Sequence, residues 1–217
     1  MLVKDWMTTH VYTVTPDDSI SCAAGMMRER NVKHLPVTEA GIVVGMLSDR
    51  DIKAYLPSKG TSLDIYELNY LLAKTKVSQA MTRPVVTIPA DTPIEDAAMI
   101  MHDREFGCLP VTESAPGGQR LVGIISDNDL FRVMVDITGV RGGGHRLALV
   151  LPDRPGSIKE AGDIVRAHGF RLQSIMSTNE KAAPGTRYVV LRTRGEGDWA
   201  GLLGDIGKSP FHLVHAL

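Results

Sequence analysis

The sequence predicts an α/β (α+β) fold in three units: two pseudo-symmetric β-α-β-β-α repeats, then a ferredoxin-like β-α-β-β-α-β unit. Three observations predict it. First, the 217-residue chain states one passage twice: Val3-Lys4-Asp5-Trp6-Met7-Thr8 returns as Val77-Ser78-Gln79-Ala80-Met81-Thr82, Leu35-Pro36-Val37-Thr38 as Leu109-Pro110-Val111-Thr112, and Gly45-Met46-Leu47-Ser48-Asp49-Arg50-Asp51 as Gly123-Ile124-Ile125-Ser126-Asp127-Asn128-Asp129. Second, apolar residues recur at helical spacing at matching places in both copies. Third, Thr138-Gly139-Val140-Arg141-Gly142-Gly143-Gly144 separates the copies from a segment with its own strand and helix patterns. A repeat that cannot bury its own apolar face buries it against a neighbour, which leaves paired clefts along the seam.

In the first repeat, residues 1–56, a short strand reaches Thr13-Val14, and Ile20, Ala23, Ala24 and Met27 mark one face of a helix capped near Asp18. A strand at 35–38, a turn with Gly41 and a strand at 42–47 follow, and Ser48 suits the N-cap of a last helix. The second repeat, residues 77–136, has Thr87-Ile88, the helical face Ile94, Ala97, Ala98 and Met101 with a Thr92/Glu95 capping box, strands at 109–112 and 121–125, and Ser126 as the later cap. Its hairpin is longer, since the offset grows from 74 to 78, and the extra residues are expected in the loop Ser114-Ala115-Pro116-Gly117-Gly118. Residues 57–76 read as a linking helix with Leu63, Leu68, Leu71 and Leu72, and 137–145 as a glycine-rich linker. Residues 146–217 give a strand at 146–151, a helix boxed by Ser157 and Glu160 and ended by Gly169, strands at 171–178 and 187–194, a helix started by Asp198, and a strand at 211–215.

Composition narrows the function without choosing it. Residues 145–217 carry 10 Lys+Arg against 7 Asp+Glu and the rest 14 against 18; neither balance suits a nucleic-acid-binding surface. Cys22 and Cys108 have neither metal spacing nor a disulfide framework, as expected of a reduced compartment. With no signal-like N-terminus and no run of eighteen apolar residues, a cytoplasmic protein without membrane contact is expected. The seven histidines include no His-x-x-x-His or Glu-x-x-His pair, and there is no serine elbow and no Walker lysine, so neither catalysis nor a metal site is expected. His212 and His215, three apart on a strand, should point to opposite faces.

The repeated Gly-x-x-Ser-x-x-Asp, Gly45/Ser48/Asp51 and Gly123/Ser126/Asp129, has chemistry that suits a nucleotide. Glycine admits a close backbone approach, a serine at a helix N-terminus suits phosphate, and a carboxylate one turn on accepts from ribose hydroxyls. The same residues also suit an ordinary N-cap with a first-turn acid, and both readings stay open.

With the Met-Thr openings, the Val-x-Thr-Val and Val-Val-Thr-Ile segments and the apolar-Pro-Val segments, the two copies resemble a tandem pair of cystathionine-β-synthase (CBS) motifs. The resemblance implies that adenine nucleotides bind at Thr13, Val14, His34, Leu35, Pro36, Ser48 and Asp51 in one site, and at Thr87, Ile88, Cys108, Leu109, Pro110, Ser126 and Asp129 in the other. Arg50 aligns with Asn128 and His34 with Cys108, so the first site is expected to offer more cationic and stacking surface and to bind a phosphorylated adenosine more tightly. Asp153-Arg154-Pro155-Gly156-Ser157-Ile158 resembles the opening turn of an ACT domain, which implies amino-acid contacts at Asp153, Gly156, Ser157 and Ile158 and a dimer; an ordinary capped turn fits as well. In this order the modules are similar to the acetoin-utilisation B type of protein. The expectation is a non-catalytic, homodimeric sensor that acts on an unidentified protein and uses a regulatory adenine nucleotide but no catalytic cofactor. The alternative is a structural adaptor with empty clefts.

Overall fold

In the computed structural model, the two Leu-Pro-Val-Thr segments form the outer strands of one antiparallel sheet, ordered β1-β2-β4-β3. The strands are β1 (His34–Glu39), β2 (Ile42–Ser48), β3 (Cys108–Ala115) and β4 (Gly118–Ser126). The structure describes residues 1–54, 70 and 72–217; of the linking helix, Leu63, Leu68 and Leu71 lie outside the described residues, and Leu72 packs on the first core. The described chain divides into Met1–Leu130 and Phe131–Leu217.

Three expectations about the repeats are corrected. The first β element of each is no strand but one parallel bridge, Val14 to Val37 and Ile88 to Val111. Pro16 and Pro89 lack the N–H that a longer ladder needs. The extra residues of the second hairpin lengthen its strands instead of its loop, since Ser114 pairs with Gln119 and Ala115 with Gly118 around Pro116-Gly117. The caps also shift. Helix α1 (Ile20–Arg30) is capped by Ser19, whose hydroxyl accepts from Cys22 N–H. The expected Thr92/Glu95 box does not form, because Thr92 donates its hydroxyl to Pro89 O and Pro93 takes the N-cap of its helix, Ile94–Asp103.

The sequence copies and the packing units also differ. Val3 N–H donates to Thr92 O at 2.9 Å and Lys4 N–H to Ala90 O at 2.8 Å, and Thr8 bridges to Ile124, so the opening residues of copy one close the core of copy two. The reciprocal set is Val77 N–H to Asp18 O at 2.8 Å, Ser78 N–H to Pro16 O at 3.0 Å and the Thr82–Met46 bridge. Val77 accordingly lies in the first core with Val14, Ile20, Ala23, Leu35 and Leu47.

This exchange explains the repeated glycines. A Cβ on Gly123 would sit 2.6 Å from Met7 Sδ and 3.1 Å from the backbone oxygen of Thr8, and one on Gly45 would collide with the Met81 side chain. The Met-Thr opening of one copy and the glycine of the other are therefore two halves of one contact. Gly123→Ala should cost about 1–3 kcal/mol in urea unfolding and Gly45→Ala less, since only a flexible thioether must move there.

The second unit has the expected β-α-β-β-α-β order: β5 (Arg146–Pro152), Ser157–Ala167, β6 (Arg171–Thr178), β7 (Thr186–Arg194), Trp199–Lys208 and β8 (His212–Ala216), in an antiparallel sheet ordered β6-β7-β5-β8. Both helices pack on Leu147, Leu149, Leu151, Val189 and Leu191. Gly156 with φ +90°, not Ser157, is the N-cap of the first helix, and Glu160 pairs with Arg154 instead of closing a box. A bulge in β8 sets Leu213 opposite Leu149 and His215 opposite Ala148. Leu213 and Ala216 therefore both meet the core, and His212 and His215 share the outer face, contrary to the plain two-residue period.

The glycine-rich segment is ordered. A helix runs Asp127–Thr138, Thr138 O accepts from Ser174 Oγ at 2.8 Å, a 3-10 turn covers Val140–Gly142, and His145 and Thr193 exchange backbone-side hydrogen bonds. The division between the units falls inside that helix, upstream of the glycines.

Candidate functional site: two clefts between the copies

Each copy ends its second strand where a helix begins, and that junction builds the same device twice. Ser48 donates both its N–H, at 2.7 Å, and its hydroxyl, at 2.6 Å, to Asp51 Oδ2, while Asp51 N–H donates back to Ser48 Oγ at 3.2 Å. Ser126 and Asp129 repeat it at 2.9, 2.7 and 3.4 Å. The reciprocal cap holds each carboxylate at the first turn of its helix, Asp49–Ala54 in copy one and Asp127–Thr138 in copy two, at the positive end of the helix dipole.

Both devices open onto clefts, and each cleft is assembled from both copies. The first, about 560 Å³, takes His34, Ser48, Arg50 and Asp51 from copy one with Val86, Cys108 and Pro110 from copy two. The second, about 490 Å³, takes Ser126, Asn128, Asp129 and Cys108 from copy two with Thr8, His10, Tyr12 and His34 from copy one. The grouping expected from the sequence placed each site within one copy. Thr13, Val14, Leu35, Pro36, Thr87, Ile88 and Leu109 line neither cleft, and Val14, Leu35, Ile88 and Leu109 are core residues. Gly45 and Gly123 also line neither cleft, being filled from behind by Met81 and Met7.

The expected asymmetry is redistributed. Arg50 and Lys53 line only the first cleft, with Lys53 held to Asp49 at 2.8 Å. The first also has the ring of Phe106, while in the second His10 meets Tyr12 edge-on at 5.3 Å and Arg30 stands 5.0 Å over the Tyr12 ring. Val86, the first-cleft counterpart of Tyr12 at the offset of 74, has no ring. These residues escaped the sequence reading because the segment after each Met-Thr crosses to the other copy, a long-range placement that local periodicity does not encode.

His34 and Cys108 line both clefts and form the wall between them. The His34 ring lies on Gly107, where a Cβ would stand 2.8 Å from Cε1. Burial lowers the His34 pKa, although Asp49 and Asp127 oppose the shift, so the imidazole is neutral at pH 7 and adds no positive charge. Burial likewise pushes the Cys108 thiol up to about 12, which keeps it protonated. Because folded His34 binds its proton less readily than the unfolded residue, stability should rise with pH up to about 6.5 and fall below it. Urea unfolding across that window should show a shallower slope for His34→Gln than for the wild type.

The turn in the C-terminal unit is already satisfied internally. Asp153 accepts from Arg187 Nε at 3.0 Å and from Asn179 Nδ2 at 2.8 Å, Ser157 is buried, and Ile158 packs against the core. Gly156 is exposed. Among the described residues no group of three His, Cys, Asp or Glu could hold a metal ion, and no helix is long and apolar enough to cross a membrane.

Comparison with known proteins agrees with this geometry. The chain is similar to the CBS domain-containing protein YhcV of Bacillus subtilis, 35% identical over 128 residues that make up 59% of this chain and 81% of YhcV. Two longer curated relatives are spanned over only 21% and 24% of their length. Among solved structures, the CBS domain pair of protein MJ0100 in complex with 5′-methylthioadenosine and S-adenosyl-L-methionine is 28% identical with a TM-score of 0.51, covering 62% of this chain and 99% of that one. CBSX2 in complex with AMP is 30% identical with a TM-score of 0.50, covering 63% and 97%. The CBS domain family itself matches residues 3–58 and 77–136, more than half of the chain and the same residues that build both clefts, and the chain belongs to that family.

Proposed function

We propose that the chain is a non-catalytic regulatory protein that binds an adenosine-containing ligand in the clefts between its CBS copies. The observation that carries this is the twinned Ser–Asp cap, which turns a carboxylate and a helix N-terminus toward each of two clefts. The carboxylate suits ribose hydroxyls, the helix end suits phosphate, and solved relatives hold AMP, methylthioadenosine or S-adenosylmethionine. Arg50, which makes no ion pair among the described residues, favours the first cleft for a phosphorylated ligand.

The C-terminal unit is read as an ACT-like partner module in a homodimer, as its strand order suggests. The amino-acid role expected of Asp153 sits less easily, since Arg187 and Asn179 already occupy that carboxylate. Thermal melts of the intact protein with AMP, ADP, ATP, NAD and S-adenosylmethionine test the main reading. A ligand at a hundred times its dissociation constant should stabilise the fold by about 2.7 kcal/mol. No shift with any of the five would favour the structural adaptor.

A further inference from the structure

Four arginines crowd one corner of the C-terminal sheet. Arg146 stands opposite Arg192 across β5 and β7, and Arg171 opposite Arg194 across β6 and β7. Leu147, Leu149, Leu172 and Leu191 face the helices, so alternation places all four arginines on the opposite face, with Ser174 as the β6 neighbour of Arg192. Directly opposed residues have Cβ atoms about 4.5–5.5 Å apart, and like charges in that position destabilise a sheet.

Most other cations of the unit are paired, although Arg141 and Lys181 make no ion pair among the described residues. Arg154, Lys159, Arg166, Arg187 and Lys208 each hold a carboxylate. None of the four corner arginines makes an ion pair among the described residues, and the hydrogen bond the structure gives them is Arg192 Nη1 to Gly143 O at 3.4 Å. Two adjacent like-charge pairs, left unpaired in a unit where most other cations are neutralised, are accounted for by an anion that bridges them.

We propose that this corner binds a small, multiply charged anion, the di- or triphosphate group of a metabolite. Guanidinium pairs grip phosphate oxygens two at a time, and four of them on three adjacent strands match a compact polyphosphate. A nucleic acid would need a longer cationic track and stacking rings, and Tyr188 is the one Phe, Tyr or Trp on this face.

Calorimetric titration of the intact protein with inorganic tripolyphosphate tests the site. Arg192→Gln/Arg194→Gln should weaken binding by at least about tenfold, whereas Lys208→Gln on the helical side should leave it within about twofold. Loss of folding is separable, because removing like charges should leave the melting temperature of the double variant no lower than that of the wild type without anion. Tripolyphosphate should then raise only the wild-type value. Equal affinity in wild type and double variant overturns the proposal. So does a single-stranded oligonucleotide that binds these arginines more tightly than tripolyphosphate.

Discussion

Asp51→Ala should weaken adenosine-nucleotide binding at the first cleft by about ten- to hundredfold, the range expected when a charged hydrogen-bond acceptor is removed. The same change should lower stability by only about 1 kcal/mol, because Asp51 also closes the reciprocal cap with Ser48 and a lost cap costs that much. Asp51→Asn separates the two effects: its amide oxygen can still accept from Ser48 N–H, so the fold is largely kept while the charge is lost. Asp129→Ala should reproduce the pattern at the second cleft. For AMP or ATP the loss should be smaller there, since Arg50 and Lys53 serve only the first cleft. Isothermal titration of both variants decides it, and equal losses would remove the proposed difference between the clefts.

Gly144→Ala should be the most damaging single substitution in the glycine run, at about 3 kcal/mol or more. Its φ of +77° is costly for any side chain, and an added Cβ would fall against the carbonyl of Thr193. That carbonyl lies in the strand backbone, which is tied to His145 by a 2.8 Å hydrogen bond from Thr193 N–H and cannot yield as a side chain would. Gly143→Ala meets nothing within 4 Å, so its cost is that of the backbone alone: φ +70° with ψ −149° borders a region nearly confined to glycine, about 1–3 kcal/mol. The two tryptophans make the comparison local: Trp199, stacked on His145 at 3.9 Å, reports the C-terminal unit, and Trp6 the CBS pair. If urea unfolding followed through Trp199 gave both variants the same loss, the run would be a spacer after all.

Much of the architecture was legible in the residues. The helical faces of Ile20/Ala23/Met27 and Ile94/Ala97/Met101 are buried as their spacing predicts. The C-terminal element order also follows from period and punctuation. The errors have a common cause. Thr92/Glu95 and Ser157/Glu160 fit the capping-box pattern, yet Thr92 is drawn to Pro89 and Glu160 to Arg154. The parity of His212 and His215 departs from their spacing because a bulge is a pairing irregularity, invisible in either strand alone. Sequence also shows that a glycine stands at 144 but not that the Thr193 carbonyl approaches it.

The sequence by itself determined the duplicated unit and the Ser–Asp devices, since spacing and helix-end chemistry are local. Only the tertiary structure decided which residues share a cleft. Each Met-Thr opening crosses to the other copy, packs its methionine on that copy's glycine, and so brings Tyr12 to Asp129 and Val86 to Asp51. The physical reason is that neither copy closes its own core. The first takes Val77 and the second Val3, so the clefts belong to the seam and to neither repeat alone.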